Sequence, residues 1–454
     1  MLNSINPATG KTVKSYEKHS EKGVDKIINS VDKSWHSWRL TSFSQRASYL
    51  QNMSSLLRSQ KDELALLIAQ EMGKVIREGI SEIEKCAWVC EYYAENAESF
   101  LENEIIQTES HHSFVSYQPL GTILAVMPWN FPFWQVFRFL APTLMAGNTA
   151  VLKHASNVPG CAMAIEELVR EAGFPENVFR TLLIGSNQVK NVIRHQAIKA
   201  ISLTGSTPAG KSVASIAGSE LKKCVLELGG NDPYVILKDA DLKAAAKICA
   251  TSRLLNAGQS CIAAKRFIVV SEVYSRFLEH FTHEMNAAHF GDPSEAETTM
   301  GPMARNDLRD ELHQQVLDSV AKGAEIILGG EIPNRKGAYY PPTILEKVKP
   351  GMPAYEEELF GPVAAVIQVK DEKEAIKVAN NSVFGLGAAV FTRNLKKGQD
   401  IAEKQLEAGC CFVNDFVKSD PRLPFGGVKE SGFGRELSTL GIKEFMNAKT
   451  IVVK

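Results

Sequence analysis

Apolar residues change their spacing along this chain, and the change divides it into regions. In the first hundred residues they recur at helical intervals: Leu50, Met53 and Leu57 fall on one face, and a charged, aromatic segment from about Val75 to Leu101 continues the pattern. Helices with core-facing stripes are predicted there. From residue 114 short apolar runs alternate with helical stretches: "TILAVM", "TAVLK", a helix near 160 to 172, "FRTLLI", a further helix, and "IKAISLTG". That alternation predicts βαβ units around a parallel sheet. A second run, "RFIVV", "AEIIL", "VAAVIQV" and "GAAVFT", predicts a second sheet. The fold class is therefore α/β, with two domains whose cleft is the natural place for a site.

Length agrees with this division, because 454 residues exceed what one hydrophobic core usually supports, and 44% apolar residues suffice for two. Charge narrows the function. With 51 basic and 52 acidic residues and no run of one sign, there is no electrostatic footprint for nucleic acid or an anionic membrane. No stretch approaches the roughly 18 apolar residues of a membrane span, and the N-terminus has no secretory pattern. The eight cysteines are scattered without zinc-type pairs, so no metal is expected, a reducing compartment is, and the protein reads as cytoplasmic.

Several stretches carry candidate chemistry, each with a plainer explanation beside it. "NAGQSCIAAKRF" places Cys261 on a loop feeding a strand, where it is either a core thiol or a nucleophile. "VLELGGNDP" sets Glu227 directly after apolar residues, as a strand-end cap or as a buried general base with a raised pKa. In "AVMPWNFPFWQVFRF", Asn130 is either a turn residue or an amide donor to developing negative charge, and Arg138, the only charge between Pro128 and Lys153, needs an anionic partner. "ISLTGSTPAGKS" satisfies the G-x-x-x-x-G-K-[ST] pattern from Gly205 to Ser212. A nucleoside triphosphatase and a dinucleotide enzyme fit this motif equally, since a helix N-terminus after a glycine turn suits either phosphate.

Taken in order, "PWNFP", "LTGS", "LELGG", "GQSC", "EELFGPV" and "PFGGVKESGFGRE" resemble the aldehyde dehydrogenase superfamily, from "NPATGK" to the end of the chain. The 34 residues from Glu227 to Cys261 match that family's interval, and "MPWNFPFWQVFRF", "LKHASN" and "GPMARNDLRDELH" resemble its bacterial succinate-semialdehyde branch. The resemblance implies Cys261 as nucleophile, Glu227 as general base and Asn130 as oxyanion donor. It implies Trp129, Lys153, Ser156, Thr204, Gly205, Ser206, Leu228, Glu358 and Phe360 as the cofactor site, which decides the phosphate-loop ambiguity for a dinucleotide. Arg138 and Ser419 are implied to hold a substrate carboxylate. Ser156 stands where NAD-selective relatives carry a glutamate, so NADP is expected, with NAD also usable.

Three positions depart from the family pattern: Phe139 replaces a lysine, Leu255 an arginine six residues before the nucleophile, and Ala263 a redox-partner cysteine. The implied architecture is two Rossmann-type domains plus a small β oligomerisation element. Residues 1–103 and 120–228 would bind cofactor, 229–431 would carry catalysis, and 104–119 with 432–454 would join copies into a homodimer or homotetramer. The expected partner is a small aldehyde, succinate semialdehyde first. Glutarate semialdehyde or a medium-chain aliphatic aldehyde is the alternative, and a phosphate-loop NTPase or a silent binding protein stands further off.

Overall fold

The computed structural model describes residues 1–454, and it begins with strands where apolar spacing predicts helices. Leu2–Ile5 and Thr12–Tyr16 pair antiparallel. The cause is local: Asn6 Oδ1 accepts the backbone N–H groups of Ala8 and Thr9, closing a turn in a stretch too short for periodicity to register. Helices follow as predicted. Phe43–Ser59 starts at a capping box, with Ser42 and Gln45 satisfying each other's backbone N–H groups, and it buries Leu50, Met53 and Leu57 almost completely. Each such burial contributes about 1.5–3 kcal/mol.

The long helix Ile76–Phe100 matters most for function. Glu78, Glu82 and Lys85 are spaced by four and three residues, so they share one face of it. That face is largely buried, although it carries charge.

Two sheets form the frame. The first runs Gly432–Phe433, Lys223–Glu227, Ile198–Thr204, Thr122–Met127, Thr149–His154, Phe179–Thr181, parallel except at the Gly432 edge. The second runs Glu325–Leu328, Thr343–Glu346, Val363–Val369, Arg266–Val270, Pro233–Ile236, Gly387–Phe391, Cys410–Val413, parallel except for its first pair. A small antiparallel sheet orders Met446–Val453, His112–Pro119 and Glu104–Ile105. Gly432–Phe433 therefore sits beside Leu226 and Glu227 in the first sheet, although the expected oligomerisation element includes it. "FRTLLI" contributes only three residues of strand.

Each large sheet has its own hydrophobic core. Ile262 packs against both, which puts its neighbour Cys261 at the seam. No helix is long and apolar enough to cross a membrane.

Candidate active site

The loop that presents Cys261 is bent by three successive left-handed residues, Asn256, Ala257 and Gly258, with φ of 55°, 52° and 73°. For an alanine this conformation costs about 1–2 kcal/mol, so neighbours must hold it. They do so from four directions. Glu78 Oε2 accepts the Asn256 N–H at 2.9 Å, and Asn256 Nδ2 donates to the backbone oxygens of Asn130 and Gln259. The Arg253 guanidinium donates to the Gly258 carbonyl. A Cβ at residue 258 would lie 2.2 Å from the Gly361 carbonyl oxygen, so only glycine fits. Finally, the buried Lys265 donates to the carbonyls of Ser260 (2.9 Å) and Cys261 (2.6 Å) and pairs with Glu358 at 3.0 Å.

Around the thiol the electrostatics are those of a dry site. Burial pushes the Cys261 pKa up to about 12, against the pull of Arg138 and Lys265. The resting group is a thiol. Glu227 ends the strand Lys223–Glu227 fully buried, with neither oxygen hydrogen-bonded. Burial first, and then the charge of Glu436, raise its pKa well above the carboxylate range, while Arg138 and Arg435 pull it back. A carboxyl that keeps its proton near neutrality, without a partner, is equipped to exchange one. Gly426 of "PFGG" lies against it: φ is +156°, and a Cβ there would meet Glu227 Oε1 at 2.7 Å.

Arg138 is already ion-paired. Its Nε contacts Glu436 Oε2 in a bridge whose two side chains are 2% and 5% exposed. Its Nη2 donates to the Thr204 hydroxyl at 3.3 Å, and its guanidinium lies over the Phe425 ring. Glu436 comes from the "GFGRE" turn, which backbone hydrogen bonds clip to Phe425. Arg138 was expected to find an anion on the substrate; the chain supplies one itself.

Two cavities meet at Cys261. The first, about 300 Å³, brings together Trp129, Asn130, Thr204, Gly205, Ser206, Leu228, Glu358 and Phe360. Trp129 and Phe360 meet edge to face there, with ring centroids 5.8 Å apart. Asn130 Nδ2 donates one hydrogen to the Gln259 carbonyl at 3.0 Å and keeps its second. The other cavity, about 240 Å³, is lined by Arg138 and Ser419 together with Glu78, Glu82, Lys85, Phe131, Trp134 and Phe425. Lys153 and Ser156 stand outside both. Lys153 is on the adjoining strand Thr149–His154, buried and without a carboxylate partner, and its pKa is lowered by that burial; Ser156 is exposed.

A dinucleotide fits these residues. The unpaired buried ammonium of Lys153 needs an anion or a ring of hydroxyls, and Ser206 caps the helix Thr207–Ser219, whose free N–H groups favour phosphate. A phosphate-loop triphosphatase does not fit. Its lysine would reach into the loop, whereas Lys211 pairs on the exposed surface with Glu430, and Asp239 accepts the Thr392 hydroxyl in the other sheet. That alternative fails on geometry.

Lys85, Lys265 and Glu436 were not singled out from sequence. Charges at 78, 82 and 85 on the apolar face of one helix were the available signal. Comparison with known proteins agrees with the frame. The model of the aldehyde dehydrogenase family matches residues 1–451. A Synechocystis sp. protein named probable succinate-semialdehyde dehydrogenase (NADP(+)) is 49% identical over 448 residues, covering 99% of this chain and 98% of its own length. A Mycobacterium avium succinate-semialdehyde dehydrogenase (NADP(+)) is 46% identical over 452 residues, at 99% and 96% coverage. The crystal structure of succinic semialdehyde dehydrogenase from Streptococcus pyogenes with NADP+ superposes with a TM-score of 0.98 at 38% identity, covering both chains fully.

Proposed function

This chain belongs to the aldehyde dehydrogenase family, and on that premise we propose that it oxidises succinate semialdehyde to succinate with NADP, NAD being a poorer substitute. The observation that carries the reading is the position of Cys261, the one thiol shared by a dinucleotide-shaped cavity and a second, carboxylate-compatible one. Lys153 and Ser156 would hold the adenosine end, with a serine donating to a 2′-phosphate that a glutamate would repel. Thr204, Gly205 and Ser206 would meet the pyrophosphate, and Trp129, Leu228, Glu358 and Phe360 the nicotinamide end.

The chemistry assigns a task to each residue. The Cys261 proton leaves to water in the cavity, drawn out by the positive charge of Arg138 and Lys265, and the thiolate attacks the aldehyde carbon. The new oxyanion takes the free Asn130 Nδ2 hydrogen and the Cys261 backbone N–H. Held by Trp129, Leu228, Glu358 and Phe360, a nicotinamide would supply the hydride acceptor. Glu227, once it has given up its own proton to solvent, takes a proton from water as that water attacks the Cys261 thioester, and returns it to the Cys261 sulfur as the C–S bond breaks and succinate departs. Because its charge is matched by Glu436, Arg138 is given the part of anchoring that carboxylate and keeping positive potential beside Cys261.

Mixing the protein with succinate semialdehyde and NADP should produce reduced-cofactor absorbance. Turnover confined to medium-chain aliphatic or glutarate aldehydes would replace the substrate and keep the reaction. We also propose that copies associate through the edge strand Met446–Val453, where Val452 and Val453 are exposed, giving a dimer or tetramer in sedimentation. Eight unpaired cysteines suit action in the cytoplasm.

A further inference from the structure

Around the second cavity three carboxylates each have a cation of their own, a fourth is held by a backbone N–H, and one cation is left over. Glu82 pairs with Lys74, both fully buried, and also accepts the backbone N–H groups of Phe133 and Trp134. Asp420 takes Arg422 through both oxygens. Glu436 takes Arg138. Glu78 is occupied by the Asn256 N–H and is pushed up to about 7 by burial. Lys85 has no carboxylate within salt-bridging reach: its ammonium donates to the Ser419 hydroxyl at 2.8 Å and lies 4.4 Å from the centre of the Trp134 ring. A hydroxyl and an aromatic face orient an ammonium without neutralising it. Enclosing it this way is costly unless an anion arrives.

We propose that Lys85, seated on Ser419 and Trp134, is a receptor for the carboxylate of the aldehyde substrate. The inference rests on the substrate reading above and deepens it. Lys85 and Cys261 line the same cavity of about 240 Å³, so the aldehyde and the terminal carboxylate of one substrate would share that space with both. The departure at Leu255 agrees with this, because the cavity wall there is apolar and the missing charge is supplied from the helix Ile76–Phe100 instead. Lys85 also explains why Ser419 is held where it is.

The test is the ratio of kcat/KM for succinate semialdehyde to that for butanal, in the wild-type chain, Lys85→Met and Lys85→Gln, with NADP. Losing one partner of a desolvated charge pair should lower the ratio by roughly thirtyfold to a thousandfold in both variants. Lys85→Arg should restore part of it. Calorimetric titration of succinate into each protein with NADP present gives a readout without turnover, and affinity should fall by a similar factor. Equal losses on both aldehydes, or an unchanged ratio and unchanged succinate affinity, would overturn the proposal while the substrate reading stands. A wild-type ratio near one would overturn the substrate reading, and the proposal with it.

Discussion

The two cavities that meet at Cys261 are built from different materials. The dinucleotide side gathers short local stretches: the residues that follow the strand ends at Met127 and Glu227, Thr204 with the turn Gly205–Ser206, the loop carrying Glu358 and Phe360, and one face of the helix Asn306–Ala321. Its residues cluster in short stretches of sequence. The aldehyde side is shaped by side chains from the helices Ile76–Phe100 and Trp134–Met145 and from the loops carrying Cys261, Ser419 and Phe425. There the deciding quantity is which charge is matched by which, and the partners lie far apart in the chain. A site gathered from local stretches is legible piece by piece; a site made by charge matching changes meaning when one partner moves.

The largest effect should come at the point both cavities share. Cys261→Ala should lower turnover at least about ten-thousandfold on every aldehyde and leave NADP binding and melting temperature nearly as they are. Ordinary turnover in that variant would detach the chemistry from the junction.

The next effect separates Arg138 from Lys85. Arg138→Gln removes the partner of Glu436 in a buried bridge, an injury of about 3–5 kcal/mol in stability. It should lower melting temperature and reduce kcat/KM for succinate semialdehyde and butanal by similar factors, because the loss is felt at Glu227 and Cys261. Selective damage to the charged aldehyde would return the carboxylate to Arg138 and dissolve the contrast.

A pH series sharpens the aldehyde side. Burial first, then Arg138, depress the Lys85 pKa to about 8, while Cys86, Asp420 and Glu82 act in the opposite direction. A lysine with a lowered pKa is charged below that value and neutral above it. The ratio of kcat/KM for succinate semialdehyde over butanal should thus be highest below pH 8 and decline as pH rises through it, the shared Cys261 and Glu227 titrations cancelling. A flat ratio would remove the charge from Lys85.

On the dinucleotide side the smallest effect is expected. Ser156→Glu should shift preference from NADP toward NAD by about tenfold through repulsion of the 2′-phosphate, with the choice among aldehydes unaltered. Altered aldehyde selectivity would show that the two cavities are not independent.

The contrast also explains what was legible in the sequence. The sheets were readable because Val, Ile and Ala runs such as "TILAVM" and "VAAVIQV" need two covered faces. Cys261, Glu227, Asn130 and the "LTGS" turn sit in local motifs whose residue types announce their chemistry. The hairpin at Leu2–Tyr16 was missed because a side-chain-to-backbone turn at Asn6 leaves no periodic trace. Arg138 announced a need for an anion, but sequence could not say that Glu436 would meet it first. Lys85 was hidden among core-facing helical residues, and its freedom becomes visible only when Lys74, Arg422 and Arg138 have taken the surrounding carboxylates.

On the proposed reading Cys261 attacks an aldehyde delivered from one cavity, and the other cavity would hold the hydride acceptor. Glu227→Gln should retain the attack and slow thioester hydrolysis, since an amide cannot accept the proton of water. Mass spectrometry of that variant, quenched after mixing with succinate semialdehyde and NADP, should find a succinyl group on the peptide bearing Cys261, and none when NADP is omitted. A succinyl group on another residue, its formation without NADP, or undiminished steady-state turnover with no adduct at all would contradict the account.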